Sequence, residues 1–168
     1  MNPILTEHAF DAVTHSPAQT YAVGERLGQL LRAGDVVCLQ GDLGTGKTCL
    51  TQGIGAGLQV VGVINSPTFV FVNEYPPAHR GPYLYHVDLY RVADYLDVIS
   101  LGLEDYLYGD GVTVVEWADR AREIMPRERL WITLIYTDHM KRTLIFDAVG
   151  DHYVEIVSAL KEGIYGGQ

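Results

Sequence analysis

Gly41-Asp42-Leu43-Gly44-Thr45-Gly46-Lys47-Thr48 fits G-x-x-x-x-G-K-[ST] at every fixed position. The pattern predicts a phosphate-binding loop. Its glycines let successive backbone N–H groups converge on the α- and β-phosphates, Lys47 reaches the β/γ-phosphates, and the Thr48 hydroxyl ligates Mg²⁺. The motif requires a strand before it and a helix after it, and both can be read in the sequence. Val36-Val37-Cys38-Leu39-Gln40 is a short apolar run that reads as a buried strand. Leu50, Ile54 and Leu58 recur on one face of a helix expected from Thr48 to Gly57, with Gly55 and Gly57 marking a frayed end. That helix aims its N-terminal dipole and free N–H groups at the phosphates. The lysines of the chain are Lys47, Lys141 and Lys161, so the first lies in the loop and the next only near the end of the chain.

Outside the loop, Ser16-Pro17-Ala18-Gln19 opens a helix running to about Arg32, with Tyr21, Leu27, Leu30 and Leu31 as its apolar stripe. Further strands are expected near 69–75, 83–89, 112–117, 129–136 and 142–149. Helices are expected at 94–107 and 152–161, with a short one at 118–125. Buried strands alternating with helices predict an α/β fold: a three-layer sandwich of the P-loop NTPase kind, with a mixed, mainly parallel central sheet. The five residues 137–141 separate the last two strands, which predicts an antiparallel hairpin at the sheet edge. At 168 residues the chain suits one domain, with a surface loop at 76–82 and a frayed tail from about 162.

Composition narrows the function. A formal net charge of −9 disfavours unaided binding to DNA or RNA, where Lys and Arg must neutralise phosphates. No signal-peptide pattern is present, and no run of about eighteen apolar residues, so a cytoplasmic protein without membrane contact is expected. Cys38 and Cys49 read as reduced thiols. The histidines show no ligand spacing for zinc.

A triphosphatase needs a second acid near the metal, at the end of an apolar strand. Asp88 ends Leu84-Tyr85-His86-Val87-Asp88 and is the best candidate. Glu116 ends Val112-Thr113-Val114-Val115 and could orient or deprotonate the attacking water, with Trp117 shielding the site or lying against the nucleotide. Thr68, in Ser66-Pro67-Thr68-Phe69, sits where a switch segment brings a hydroxyl to Mg²⁺ or the γ-phosphate. For Arg91 a salt bridge to Asp94 or Glu116 is preferred over a phosphate contact.

Four segments in fixed order, G-D-L-G-T-G-K-T at 41–48, S-P-T-F at 66–69, H-V-D-L-Y-R at 86–91 and E-W-A-D-R at 116–120, together resemble the TsaE family. The resemblance covers roughly residues 10–150. It implies a small bacterial ATPase needed for making threonylcarbamoyladenosine at position 37 of tRNA. Such a protein binds ATP and Mg²⁺, associates with the TsaD transferase and its partner TsaB, and meets tRNA only through them. The loop and helix start, Asp42, Leu43, Gly44, Thr45, Gly46, Lys47, Thr48 and Cys49, are expected to hold the nucleotide, and the resemblance matches Lys47, Thr48, Thr68 and Trp117 to family residues at the nucleotide. Thr48, Asp88 and, through water, Glu116 serve the metal, and Lys47, Asp88 and Glu116 carry catalysis. Cys49 stands where a more ordinary small or polar residue is expected. The alternative within the same fold is a nucleoside or nucleotide kinase, but the arginines are dispersed and 120–129 is short for a lid. A GTPase switch would use N-K-x-D, which the chain lacks. A nucleotide-gated scaffold with incidental hydrolysis has no distinguishing sequence feature.

Overall fold

The computed structural model describes residues 9–67, 71–93 and 95–165. Its strands are β1 (Ala9–Thr14), β2 (Val36–Gln40), β3 (Val72–Tyr75), β4 (Leu84–Asp88), β5 (Val112–Glu116), β6 (Arg129–Tyr136) and β7 (Arg142–Val149). Between them lie α1 (Pro17–Leu30), α2 (Lys47–Leu58), α3 (Tyr95–Ser100), α4 (Glu104–Leu107), a 3₁₀ helix over Ala118–Ile124, and α5 (Asp151–Tyr165). The strands form one seven-stranded sheet in the order β1-β7-β6-β2-β5-β4-β3. The central four, β6, β2, β5 and β4, run parallel, while β3, β7 and β1 join antiparallel outside them.

Strand composition explains this order. β5 is buried at every position and β2 at all but its last, as expected of parallel strands covered on both faces. β7 alternates between buried and half-buried positions, the pattern of an outer antiparallel strand. The expected hairpin is present as β6 and β7, and β1, a strand the sequence pattern did not reveal, pairs along the outer side of β7. The expected strand at 69–75 appears as Val72–Tyr75, and its first two residues lie outside the described region.

Two apolar clusters make the three layers. On one face Leu39, Val114 and Ile132 pack with Leu27 of α1, Leu50 and Ile54 of α2 and Leu160 of α5. On the other, Cys38, Val87 and Val115 pack with Val98, Leu103, Leu107 and Ala121. Burial of a side chain such as Leu50 or Ile54 contributes about 1.5–3 kcal/mol, so α2 is held to the sheet chiefly by this face.

Contact between α1 and α2 depends on the absence of side chains. A Cβ on Gly24 or Gly28 would collide with the backbone of α2, and one on Gly53 or Gly57 with the backbone of α1. The glycines near the end of α2 therefore do not mark fraying: the helix continues to Leu58, and Gln59 caps it with φ +57°. The glycine face also corrects the stripe expected for α1. Its buried residues are Thr20, Val23, Gly24, Leu27 and Gly28, whereas Tyr21 is exposed. Ser16 caps α1 by accepting from Gln19 N, and the Gln19 side chain accepts from His15 N, so the expected capping box closes one residue earlier than usual.

Three other expectations are corrected. The helix expected over 94–107 is two short helices, because Gly102 adopts φ +75° between them. The segment after β5 is a 3₁₀ helix broken at Ala121. The tail expected to fray from 162 instead continues α5 to Tyr165, because Ile164 packs on the core and the Tyr165 ring meets Phe10 edge-on. Both cysteines are free, Cys38 buried and Cys49 half-buried. Among the described residues, no helix is long and apolar enough to cross a membrane.

Two measurements test this packing. Gly53→Ala should lower unfolding free energy by about 1–3 kcal/mol in denaturant titration, since the two helix backbones must separate to admit the methyl group. Burial pushes the Cys38 thiol from 9.0 up to about 12. The unfolded chain gives up that proton near pH 9 while the folded protein keeps it, so Cys38 contributes no pH dependence below 9. Between there and pH 12 it should lower stability by up to about 1.4 kcal/mol per unit, and Cys38→Ala should show a shallower alkaline decline.

Candidate nucleotide site

Three parallel strands end together. β2 delivers the chain to Gly41, β4 ends at Asp88 and β5 ends at Glu116, with Leu39 and Asp88 each paired to Glu116 in the ladders. This is the carboxyl edge of the sheet, where ligands bind in open α/β folds. A cavity of about 1110 Å³ opens over it, lined among others by Gly46, Lys47, Thr48, Asp88, Glu116 and Trp117.

Local rules build the loop. Gly44 and Gly46 adopt φ +79° and +104°, which favours glycine at both. A Cβ on Gly41 would stand 2.6 Å from Leu134 O. Thr45, almost fully buried, donates its hydroxyl to Asp42 O at 2.8 Å and closes the turn. Leu43 projects into solvent. Gly46 then caps α2 without any side-chain acceptor, leaving the first N–H groups of the helix facing the cavity.

Lys47 folds back over this loop. Its Nζ donates to Gly41 O at 2.6 Å and Asp42 O at 2.8 Å, and lies 4.2 Å from the centre of the Trp117 ring. An ammonium has three protons, so one remains for a ligand. Burial lowers the Lys47 pKa, while Glu116, Asp88, Asp119 and Asp42 pull it back up. The cation is thus held by fields and carbonyls in a site only 5% exposed.

Beneath it runs a chain of hydrogen bonds. Thr48 Oγ1 donates to Glu116, 3.0 Å from Oε1 and 3.3 Å from Oε2. Because that hydroxyl has a single proton, Ser66 is the donor in the 3.0 Å contact between Ser66 Oγ and Thr48 Oγ1. The Glu116 Oε2 atom also receives a hydrogen bond from His86 Nε2. Asp88, half-buried, accepts from Tyr90 N at 2.9 Å. Its carboxyl pKa is raised, first by burial and further by Glu116, with Tyr90 N, His86 and Lys47 opposing. Asp88 and Glu116 thus set two carboxylates beside the one lysine of the site.

Trp117 takes φ +60°, an uncommon conformation for a bulky residue. That turn ends β5 at Glu116, one residue earlier than expected. It lays the indole over Lys47, where Tyr90 packs against it at 5.1 Å and Arg120 covers it at 5.2 Å.

The loop residues Asp42, Leu43, Gly44, Thr45, Gly46, Lys47 and Thr48 thus converge with Asp88, Glu116 and Trp117. Cys49 sits on the α1 side, its Sγ 3.2 Å from Pro17 O, although it also lines the cavity. Thr68 and Asp94 lie outside the described residues, so the switch role of Thr68 and an Arg91–Asp94 pair have no geometry here. Arg91 lines the cavity. Sequence reasoning missed Ser66 and His86 as members of the site. His86 alternates with Asp88 along β4 and so shares its face, but nothing local in the sequence shows that Glu116 meets the ring. Among the described residues, no group of three or more His, Cys, Asp or Glu could hold a metal by itself. Oxygen donors from Thr48, Asp88 and Glu116 suit Mg²⁺, which is commonly held by one or two carboxylates together with substrate phosphates.

Comparison with known proteins follows the same line. A family model described as Threonylcarbamoyl adenosine biosynthesis protein TsaE matches residues 14–144. A tRNA threonylcarbamoyladenosine biosynthesis protein TsaE of Bacillus subtilis is 40% identical over 140 residues, covering 83% of this chain and 86% of that one. Its counterpart of Treponema pallidum is 39% identical over 122 residues, covering 73% and 88%. The crystal structure of YdiB from Bacillus subtilis superposes with a TM-score of 0.79 at 34% identity, covering 93% of this chain and 96% of that one. A family match spanning the phosphate loop, β4 and β5, and relatives that cover most of both chains, establish that this chain belongs to the TsaE family of tRNA threonylcarbamoyladenosine biosynthesis proteins.

Proposed function

We propose that the protein is an accessory ATPase of tRNA threonylcarbamoyladenosine biosynthesis, binding Mg-ATP at the 41–48 loop and hydrolysing it in association with a TsaD–TsaB transferase complex. The observation that carries this reading is the meeting of Lys47, Thr48 and Glu116 at the N-terminus of α2, with Asp88 beside them. Family membership supplies the pathway.

Each residue has work that its geometry supports. The N–H groups of the loop and of the first turn of α2 bind phosphate oxygens, and the remaining proton of Lys47 adds a charge-assisted bond. Thr48 donates its proton to Glu116 and keeps a lone pair for a cation. A magnesium ion would supply charge neutralisation on the phosphates and relieve the crowding of Asp88 and Glu116. Glu116, nearly buried at the cavity floor, orients a water for in-line attack and accepts its proton. Trp117 and Arg120 form a wall that limits competing water. With a net charge of −9, the protein leaves tRNA to its partners and works beside them in the cytosol.

Lys47→Ala should abolish binding of a fluorescent ATP analogue. Glu116→Ala should bind it within a few-fold of the parent yet hydrolyse ATP at least about a hundredfold more slowly. Hydrolysis by Glu116→Ala at the parental rate would remove that residue from the mechanism, and label from γ-phosphate found in a nucleotide product would mean a kinase. In pull-downs, ATP should increase recovery of the TsaD–TsaB pair, and equal recovery with and without nucleotide would count against coupling.

A further inference from the structure

His86 is wholly buried, yet only one of its ring nitrogens has a partner among the described residues. Nε2 bonds Glu116 Oε2, while Nδ1 meets no hydrogen-bond partner among the described residues. An unpaired polar atom in an apolar interior is destabilising. The next inward position on the same face of β4 is Leu84, and the residue paired with His86 on β5 is Val114, both fully buried. A leucine at 86 would continue that apolar surface without the orphaned nitrogen. What a histidine offers here that a leucine would not is its single bond to Glu116.

That bond does something the other partner of Glu116 cannot. Thr48 stands at the mouth of the phosphate loop and belongs to the ligand-facing surface, whereas His86 approaches from the sheet, behind the carboxylate. Two anchors from opposite elements, α2 and β4, fix the carboxylate plane where one would let it turn. We infer that His86 is a positioning residue that holds Glu116 Oε2 from behind and so keeps Oε1 on Thr48, in the orientation needed to direct water. This inference rests on the hydrolytic reading above and adds to it a residue that touches no substrate.

Two amide variants separate position from packing. In His86→Gln the side-chain nitrogen reaches about as far as Nε2, and in His86→Asn it reaches only about as far as Nδ1. Both replace the ring with a polar chain, so a purely structural role would weaken both in thermal melts and treat their turnover alike. With the full-length protein and Mg-ATP, assayed with the TsaD–TsaB pair, His86→Asn should lose about tenfold in kcat while KM stays within about threefold. His86→Gln should keep kcat within about threefold of the parent. Equal kcat in the two variants, whether parental or reduced, overturns the positioning role and leaves the ATPase reading standing. A parent that neither binds nor hydrolyses ATP overturns both.

Discussion

Parallel register at the sheet centre is the constraint on which the site depends. Glu116 pairs with Leu39 of β2 and with Asp88 of β4, so the acid at the end of β5 lies level with the residue two before the phosphate loop on one side and with a second acid on the other. Side chains alternate along a strand, and a slip of one residue would turn Glu116 toward the face of Val87 and Val115, away from α2. The register is secured by the apolar residues beneath: Val112 and Val114 face one core and Val115 the other, and a slip would expose each to the wrong cluster. Core packing and site geometry are thus one constraint.

Charge at this edge is concentrated and enclosed. Lys47 is desolvated by the fold and compensated by four acids, two loop carbonyls and an indole face. The acids outnumber the lysine, and burial makes the ionised form of Asp88 costly, raising its carboxyl pKa. Enclosure strengthens the single lysine of the loop, 5% exposed: in a low-dielectric cleft each charge acts at greater strength than on the surface.

The α2 helix links the two halves of this arrangement. Its first turn carries Lys47 and Thr48, and its remaining length carries Leu50, Ile54 and Leu58 into the core. Glycines at 53 and 57 bring α1 into backbone contact along its far side. A helix gripped on two faces cannot easily tilt, and the N-terminal groups that face the cavity stay aimed at it. The strained turn at Trp117 serves the opposite wall, placing an aromatic face over Lys47 where regular strand geometry would have pointed it elsewhere.

Much of this was legible in the chain. Strand β2, the loop and α2 follow from an apolar run, a glycine pattern and a 3.6-residue period, and Asp88 and Glu116 stand out as acids at the ends of buried strands, because all these signals are local. Strand β1 was not legible: Ala9–Thr14 carries no strong strand pattern, and it forms a strand because β7 offers an edge to pair with. Gly55 and Gly57 looked like a fraying helix end because what keeps them small, the Ile64 side chain at Gly55 and the backbone of α1 at Gly57, is not visible in the local sequence. Sequence by itself determined the chemistry available, a phosphate cradle with a lysine, a hydroxyl and two acids. Only the tertiary structure decided that Glu116 is held between Thr48 and His86, since those bonds span 68 and 30 residues of chain and exist only once the sheet register and the helix above it are in place.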